Sequence, residues 1–163
     1  MIRLVVNFAS LMLSSLVVGA MFGIWLAGNL VDLSSNAYLQ KQQSDIRALN
    51  IVMPILGLAS ALLTLVAAFL ARHDRRRASL LVAAFVALMA AGLVTRFLNQ
   101  PINAIVMTWS PESPPADWAA FRDKWWQWHL VRTGLGVSGL SLLIFANLVR
   151  EEEKSIAGPS PGA

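Results

Sequence analysis

Residues 4–30 carry no charged side chain, and the same is true of residues 51–71, 78–95 and 133–149. A helix needs about 20 mainly apolar residues to cross the hydrocarbon core of a bilayer. No water is present there to satisfy backbone N–H and C=O groups, so such a run folds as a helix that closes its own hydrogen bonds. The first two runs are long enough as they stand; the third reaches membrane length at Leu98 and the fourth by starting at Leu130. The fold class implied is all-α: a polytopic membrane protein with four transmembrane helices, at about 4–30, 51–71, 78–98 and 130–149, in an up-down bundle. Only 13% of the residues are charged, about half the share of an ordinary soluble domain. The first run is too long for a signal-peptide core, and no small-x-small site comes after a short apolar region, so it reads as a retained span. Residues 1–150 are expected to form one transmembrane domain, and 151–163, which begin EEEK and end GPSPGA, a disordered tail.

Charge placement predicts orientation. Arg3, Arg72, Arg75, Arg76, Arg77, Arg150 and Lys154 fall on one side of the four spans, and Lys41, Arg47, Arg122 and Lys124 on the other. The side richer in Lys and Arg is expected in the cytoplasm, with both termini, which puts residues 31–50 and 97–129 at the outer face. The net charge of +4 therefore reflects topology, and no basic, aromatic-interleaved soluble face is present to bind nucleic acid. With no cysteine, disulfides, thiolate metal sites and thiol nucleophiles are excluded. His73 and His129 cannot make a metal site by themselves, and His73, in the basic loop 72–77, reads as a solvated residue. Methionines scattered through apolar spans add no ligand set. No Walker A or HExxH pattern occurs. The expectation is no metal and no cofactor.

Small residues suggest packing faces. Ser15, Gly19, Gly23 and Ala27 recur every four residues in the first span, and Gly134, Ser138 and Ser141 mark the fourth. Such ladders let helices approach closely in lipid. Packing within the bundle is the expected use, with a homo-oligomer through such faces as the alternative. The polar stretch 32–50 can begin a helix capped by Ser34 or Ser35. Tyr38, Gln42 and Asp45 then share one side. This segment is either a solvated extension at the membrane surface or a roof, with Tyr38, Gln42 and Gln43 over a pocket.

Residues 96–132 concentrate the chemistry: Asn99, Asn103, His129, five of the six tryptophans and four of the seven prolines. Arg96, Asn99 and Asn103 share a helical face if the helix survives Pro101; if it does not, Asn103 sits on a re-entrant turn. Trp125, His129 and Arg132 share a face at the entry to the fourth span. Two polar stripes at one membrane depth, joined by one loop, can face each other, and polar groups there are costly unless paired or turned to a cavity. His129 is the candidate acid/base. Arg132 or Arg96 could hold an enolate or phenolate oxygen, and Trp109 and Trp125 could stack on a flat aromatic. The competing reading is an interfacial aromatic belt of Trp109, Trp118, Trp125, Trp126 and Trp128, with Arg96 and Arg132 snorkelling. Asp117, after Pro114 and Pro115, reads as the cap of a short interfacial helix before the last span.

Three segments, NQPIN at 99–103, the W-x-P-x-x-P-P-x-D-W pattern at 109–118 and R-D-x-W-x-x-W-H-x-x-R-T at 122–133, resemble the anthrone oxygenase-like family of small four-helix membrane proteins. Gln42 and Gln43 ahead of Met53 and Pro54 add to the resemblance, which covers roughly residues 10–150. It implies an oxygenase that turns an anthrone into an anthraquinone with molecular oxygen and without metal or flavin. The matching positions are Asn99, Pro101, Asn103, Trp109, Trp125, His129 and Arg132. On that reading His129 is the base, Arg132 with Asn103 steadies the oxyanion, and Trp109, Trp125, Asn99, Arg96 and Tyr38 hold a hydrophobic aromatic molecule. The alternative is a non-catalytic membrane protein that binds a lipid- or quinone-like ligand or supports an envelope complex.

Overall fold

In the computed structural model, which describes residues 1–27 and 32–157, every regular element is helical. The order is α1 (Ile2–Ala27), α2 (Ser35–Leu49), α3 (Val52–Leu70), α4 (Arg75–Val94), a π-helical turn (Thr95–Asn99), α5 (Gln100–Val106) and α6 (Trp118–Ala157). Ile2–Ala27, Val52–Leu70, Arg75–Val106 and Trp118–Val149 are long and apolar enough to cross a membrane. The chain is a multi-pass membrane protein. Its outward surface carries Phe8, Leu16, Ile55, Phe69, Val86, Phe97 and Phe145, while Ser10, Ser14, Ser60, Thr64 and Ala84 are buried. Lipid rewards the first set, and small or hydroxyl-bearing residues let helices meet closely inside.

The four spans close a ring: α1 packs on α3, α3 on α4, α4 on α6, and α6 returns to α1. The buried hydroxyls of Ser14 and Ser60 meet at 2.6 Å between α1 and α3. A Cβ on Gly139 would lie 2.9 Å from Leu88 Cγ and 3.3 Å from the Ala84 carbonyl oxygen, and one on Gly136 2.6 Å from Met21 Cε. The packing face of α6 therefore runs through Gly136, Gly139, Leu143 and Ala146. This corrects the expectation for Gly134, Ser138 and Ser141, which are exposed. The α1 ladder also faces outward: Ser15, Gly19, Gly23 and Ala27 are exposed, and nothing lies within 4 Å of a Cβ on Gly19 or Gly23. α1 packs instead through Asn7, Ser10, Ser14, Val18 and Met21. Bulky partners decide which small-residue face turns inward, because only glycine makes room for Leu88 and Met21.

At the basic end, Asp74 caps α4 by accepting from the Arg77 backbone N–H at 3.0 Å. His73 is exposed. Arg77 is buried; its Nε donates to the Ala146 carbonyl (3.2 Å) and its Nη2 to Asn147 Oδ1 (3.4 Å), tying α4 to α6. At the opposite, capped end, Ser34 caps α2. α2 buries Tyr38, Leu39, Gln42, Gln43 and Ile46, so it is a roof and not a solvated extension. Gln43 Nε2 donates to the carbonyls of Val106 (3.0 Å) and Trp109 (2.8 Å), pinning the roof to the end of α5. Tyr38, Leu39, Ile46, Ile102, Val106 and Trp125 form the apolar core of this end.

The short interfacial helix expected before the last span is not separate: it and the span are one helix, α6. No proline or glycine interrupts residues 118–133, and their polar stripe is turned inward. α6 also continues through residues 151–157, the start of the expected irregular tail; Glu and Lys are good helix formers. Residues 28–30 of the first expected span and 158–163 of the tail lie outside the described residues.

Candidate active site

Pro101 shapes the site. Proline has no N–H to give to the carbonyl four residues back, and its ring collides with that carbonyl. Here the chain widens into the π turn Thr95–Asn99 just before the proline, and the Gln100 N–H bonds Thr95 across the wider turn. The helix then continues as α5, so Asn103 is helical and not on a re-entrant turn. A π turn adds one residue to the helical count and rotates the next stretch of helix about its axis. Thr95, Asn99 and Asn103 thereby meet α6, while Arg96 is exposed beside them.

Apart from Arg96, the two expected stripes face each other. Asn99 Nδ2 donates to the Trp125 carbonyl at 3.0 Å. Trp125 Nε1 donates to Asn103 Oδ1 at 2.7 Å, and Asn103 Nδ2 donates to Asn50 Oδ1 at 3.0 Å. Gln100 Nε2 donates to the Asn50 carbonyl at 3.4 Å. These bonds clamp the π turn between α6 and the junction of α2 with α3.

His129 is fully buried. Its Nε2 lies 3.1 Å from the Met21 carbonyl oxygen on α1. A carbonyl only accepts, so Nε2 carries the hydrogen and Nδ1 presents its lone pair. That lone pair receives Arg132 Nε (3.2 Å) and Nη2 (2.9 Å). The ring is stacked on Trp125 (centroids 5.0 Å, planes 5° apart) and on Trp126 (5.4 Å, 25°). Spacings of four and three on one helix produce this sandwich. Arg132 Nη1 donates to Thr95 Oγ1 at 3.4 Å, and the guanidinium lies 5.5 Å from the Trp125 ring centroid.

Beneath α2 a cavity of about 340 Å³ opens between the spans. That volume lies at the small end of the range of roughly 300–1,000 Å³ typical of small-molecule sites. Its wall is mostly apolar, with Val18, Met21 and Ile24 from α1, Met53, Pro54 and Gly57 from α3, and Leu88 from α4. Polar groups converge at the capped end: Gln42 and Asp45 from α2, Asn50, Thr95, Arg96, Gln100, Asn103, and Trp125 with Arg132 from α6.

Four of the eight residues singled out from the sequence, Asn103, Trp125, Arg132 and Arg96, line this cavity. The other four stand behind it. Asn99 and His129 are fully buried in the seam with α6. Trp109 packs edge-on against Phe121 (5.2 Å, 86°). Tyr38 is fully buried in the roof, 5.5 Å from the Trp118 ring. Sequence reasoning missed Asn50, Thr95 and Gln100, because only the widened turn brings the last two to the cavity. It placed Asp45 on the correct side of α2 without assigning it a task; its spacing from Gln42 was the available signal.

Neither the curated proteins nor the solved structures yield a match to this chain. A family model described as anthrone oxygenase matches residues 45–142. The match begins at the cavity face of α2 and ends beyond Arg132, so it takes in the end of the roof, the π turn and the stacked His129 seam. The chain belongs to the anthrone oxygenase family.

Proposed function

We propose that this protein is a membrane-embedded, cofactor-independent oxygenase that takes a lipophilic anthrone-type aromatic into the cavity beneath α2. One observation carries the reading. Arg132 lines a mostly apolar cavity, and among the described residues no carboxylate lies within salt-bridge distance of it. A guanidinium at such depth is costly without a counter-charge. The enolate or phenolate oxygen of an ionised anthrone supplies one, and a fixed donor aimed at that oxygen lowers the barrier to forming it. Loss of a methylene proton leaves a carbanion delocalised onto the ketone oxygen. Its attack on oxygen and loss of water give the anthraquinone.

In this reading Arg132 holds the oxyanion and Trp125 supplies an aromatic wall. Asn103 orients Trp125 through its Nε1 bond. His129, with both nitrogens engaged, holds Arg132 in place. Trp109 and Tyr38 shape the roof. The Lys/Arg bias supports cytoplasmic termini and a site near the outer leaflet.

The test is oxygen uptake by the protein in lipid nanodiscs supplied with anthrone. Arg132→Met should lower uptake by about 100-fold, the scale of losing an oxyanion donor, with helical content retained. His129→Ala should lower it less, since Arg132 stays but loses its anchor. Unchanged uptake in Arg132→Met removes the oxyanion role. A wild-type protein that retains a bound lipid or quinone and consumes no oxygen with anthrone favours the ligand-binding alternative.

A further inference from the structure

The cavity wall carries three ionisable side chains, Asp45, Arg96 and Arg132. Arginine stays protonated and cannot act as a base. His129 and Tyr38 do not reach the wall, and the His129 Nδ1 lone pair already receives two N–H groups from Arg132. Asp45 is therefore the one described group on the wall able to take a proton. One turn earlier, Gln42 also lines the cavity. It is 2% exposed, and its Nε2 has no hydrogen-bond partner among the described residues. An orphaned buried donor is destabilising unless something arrives to accept from it. A ligand oxygen in the cavity is such an acceptor. Three-residue spacing puts Gln42 and Asp45 on one face of α2, and Ser34 together with Gln43 fixes that helix over the opening.

We propose that Asp45 is the proton acceptor for an enolisable aromatic ketone, and that Gln42 donates its free amide N–H to an oxygen of the same ligand. This rests on the reading above that the cavity takes an anthrone-type molecule. In the step itself, one methylene C–H bond of the ligand breaks and the proton goes to an Asp45 carboxylate oxygen. The electron pair moves through the ring system to the ketone oxygen, which gains negative charge. No oxidant takes part, so the step is separable from oxygen chemistry. Lys41, 2.6 Å from Asp45, holds the carboxylate but does not line the cavity.

The experiment is deuterium incorporation at the anthrone methylene, measured by mass spectrometry in D2O without oxygen, in nanodiscs and above the buffer background. Oxygen uptake is measured in parallel. Wild-type protein should accelerate exchange, and Asp45→Asn should lose about 100-fold or more of that acceleration, as expected on removing a general base. Asp45→Glu should recover part of it. Gln42→Leu should lower exchange about tenfold. Exchange unaltered in Asp45→Asn overturns the proposal. So does a wild-type protein that consumes oxygen without accelerating exchange, which leaves the oxygenase reading standing. Absence of both exchange and oxygen uptake overturns both.

Discussion

Tyr38 and Asn99 are both fully buried polar side chains, but they contribute differently. The Tyr38 hydroxyl is buried without a hydrogen-bond partner among the described residues, and burial pushes its phenol above the ordinary value of 10, with Arg122 opposing and Asp123 adding to the shift. A phenol raised in the folded state favours folding below pH 10 and loses that contribution as the pH climbs past it. Tyr38→Phe should stay within about 1 kcal/mol of wild type at pH 7, since no hydrogen bond is lost. It should also flatten the fall in thermal stability above pH 10, read from melting curves between pH 8 and 11. Asn99 bonds the Trp125 carbonyl across the helix seam. Asn99→Ala should lower stability by about 1 kcal/mol, the scale of an interhelical hydrogen bond in a membrane protein, seen as an earlier thermal transition in detergent.

At the scale of elements, the π turn decides which residues reach the cavity. It exists because Pro101 cannot sit in an uninterrupted α-helix. Pro101→Ala removes the clash and restores a donor, so the turn can tighten to α-helical geometry. Tightening rotates Thr95 and Asn99 away from Arg132 and Trp125. Pro101→Ala should therefore hold or raise the melting temperature while cutting anthrone-dependent oxygen uptake at least about tenfold, since misplacing reacting groups by about 1 Å costs up to 100-fold. A variant that loses stability and keeps uptake would show the turn to be only structural. The spacing of Asn99, Asn103, Trp125, His129 and Arg132 was readable as two facing stripes, because i, i+3 and i+4 periodicity survives on both helices. The place of Arg96 was not, because an inserted residue changes the register and leaves no mark in the sequence except the proline behind it.

For the molecule as a whole, the roof, the ring of spans and the seam enclose one volume at the capped end. Gly57 lines it from α3, and a Cβ there would meet nothing closer than Val17 Cγ1 at 3.9 Å. Gly57→Leu should fill part of the cavity, raising the anthrone KM at least about tenfold while the protein keeps its helical content, since the added side chain enters open space. Equal KM values would place the ligand elsewhere. The sequence by itself determined that the chain crosses a membrane four times as helices, because uncharged runs of that length leave the backbone no other partner for its hydrogen bonds. It also determined which polar residues share a helical face, because periodicity is local. Only the tertiary structure decided which small-residue faces turn inward, that α2 roofs the bundle, and that Asp45 and Gln42 reach the cavity while His129 stands behind Arg132. Those outcomes depend on the partners each side chain meets across the bundle, and a one-dimensional pattern does not carry them.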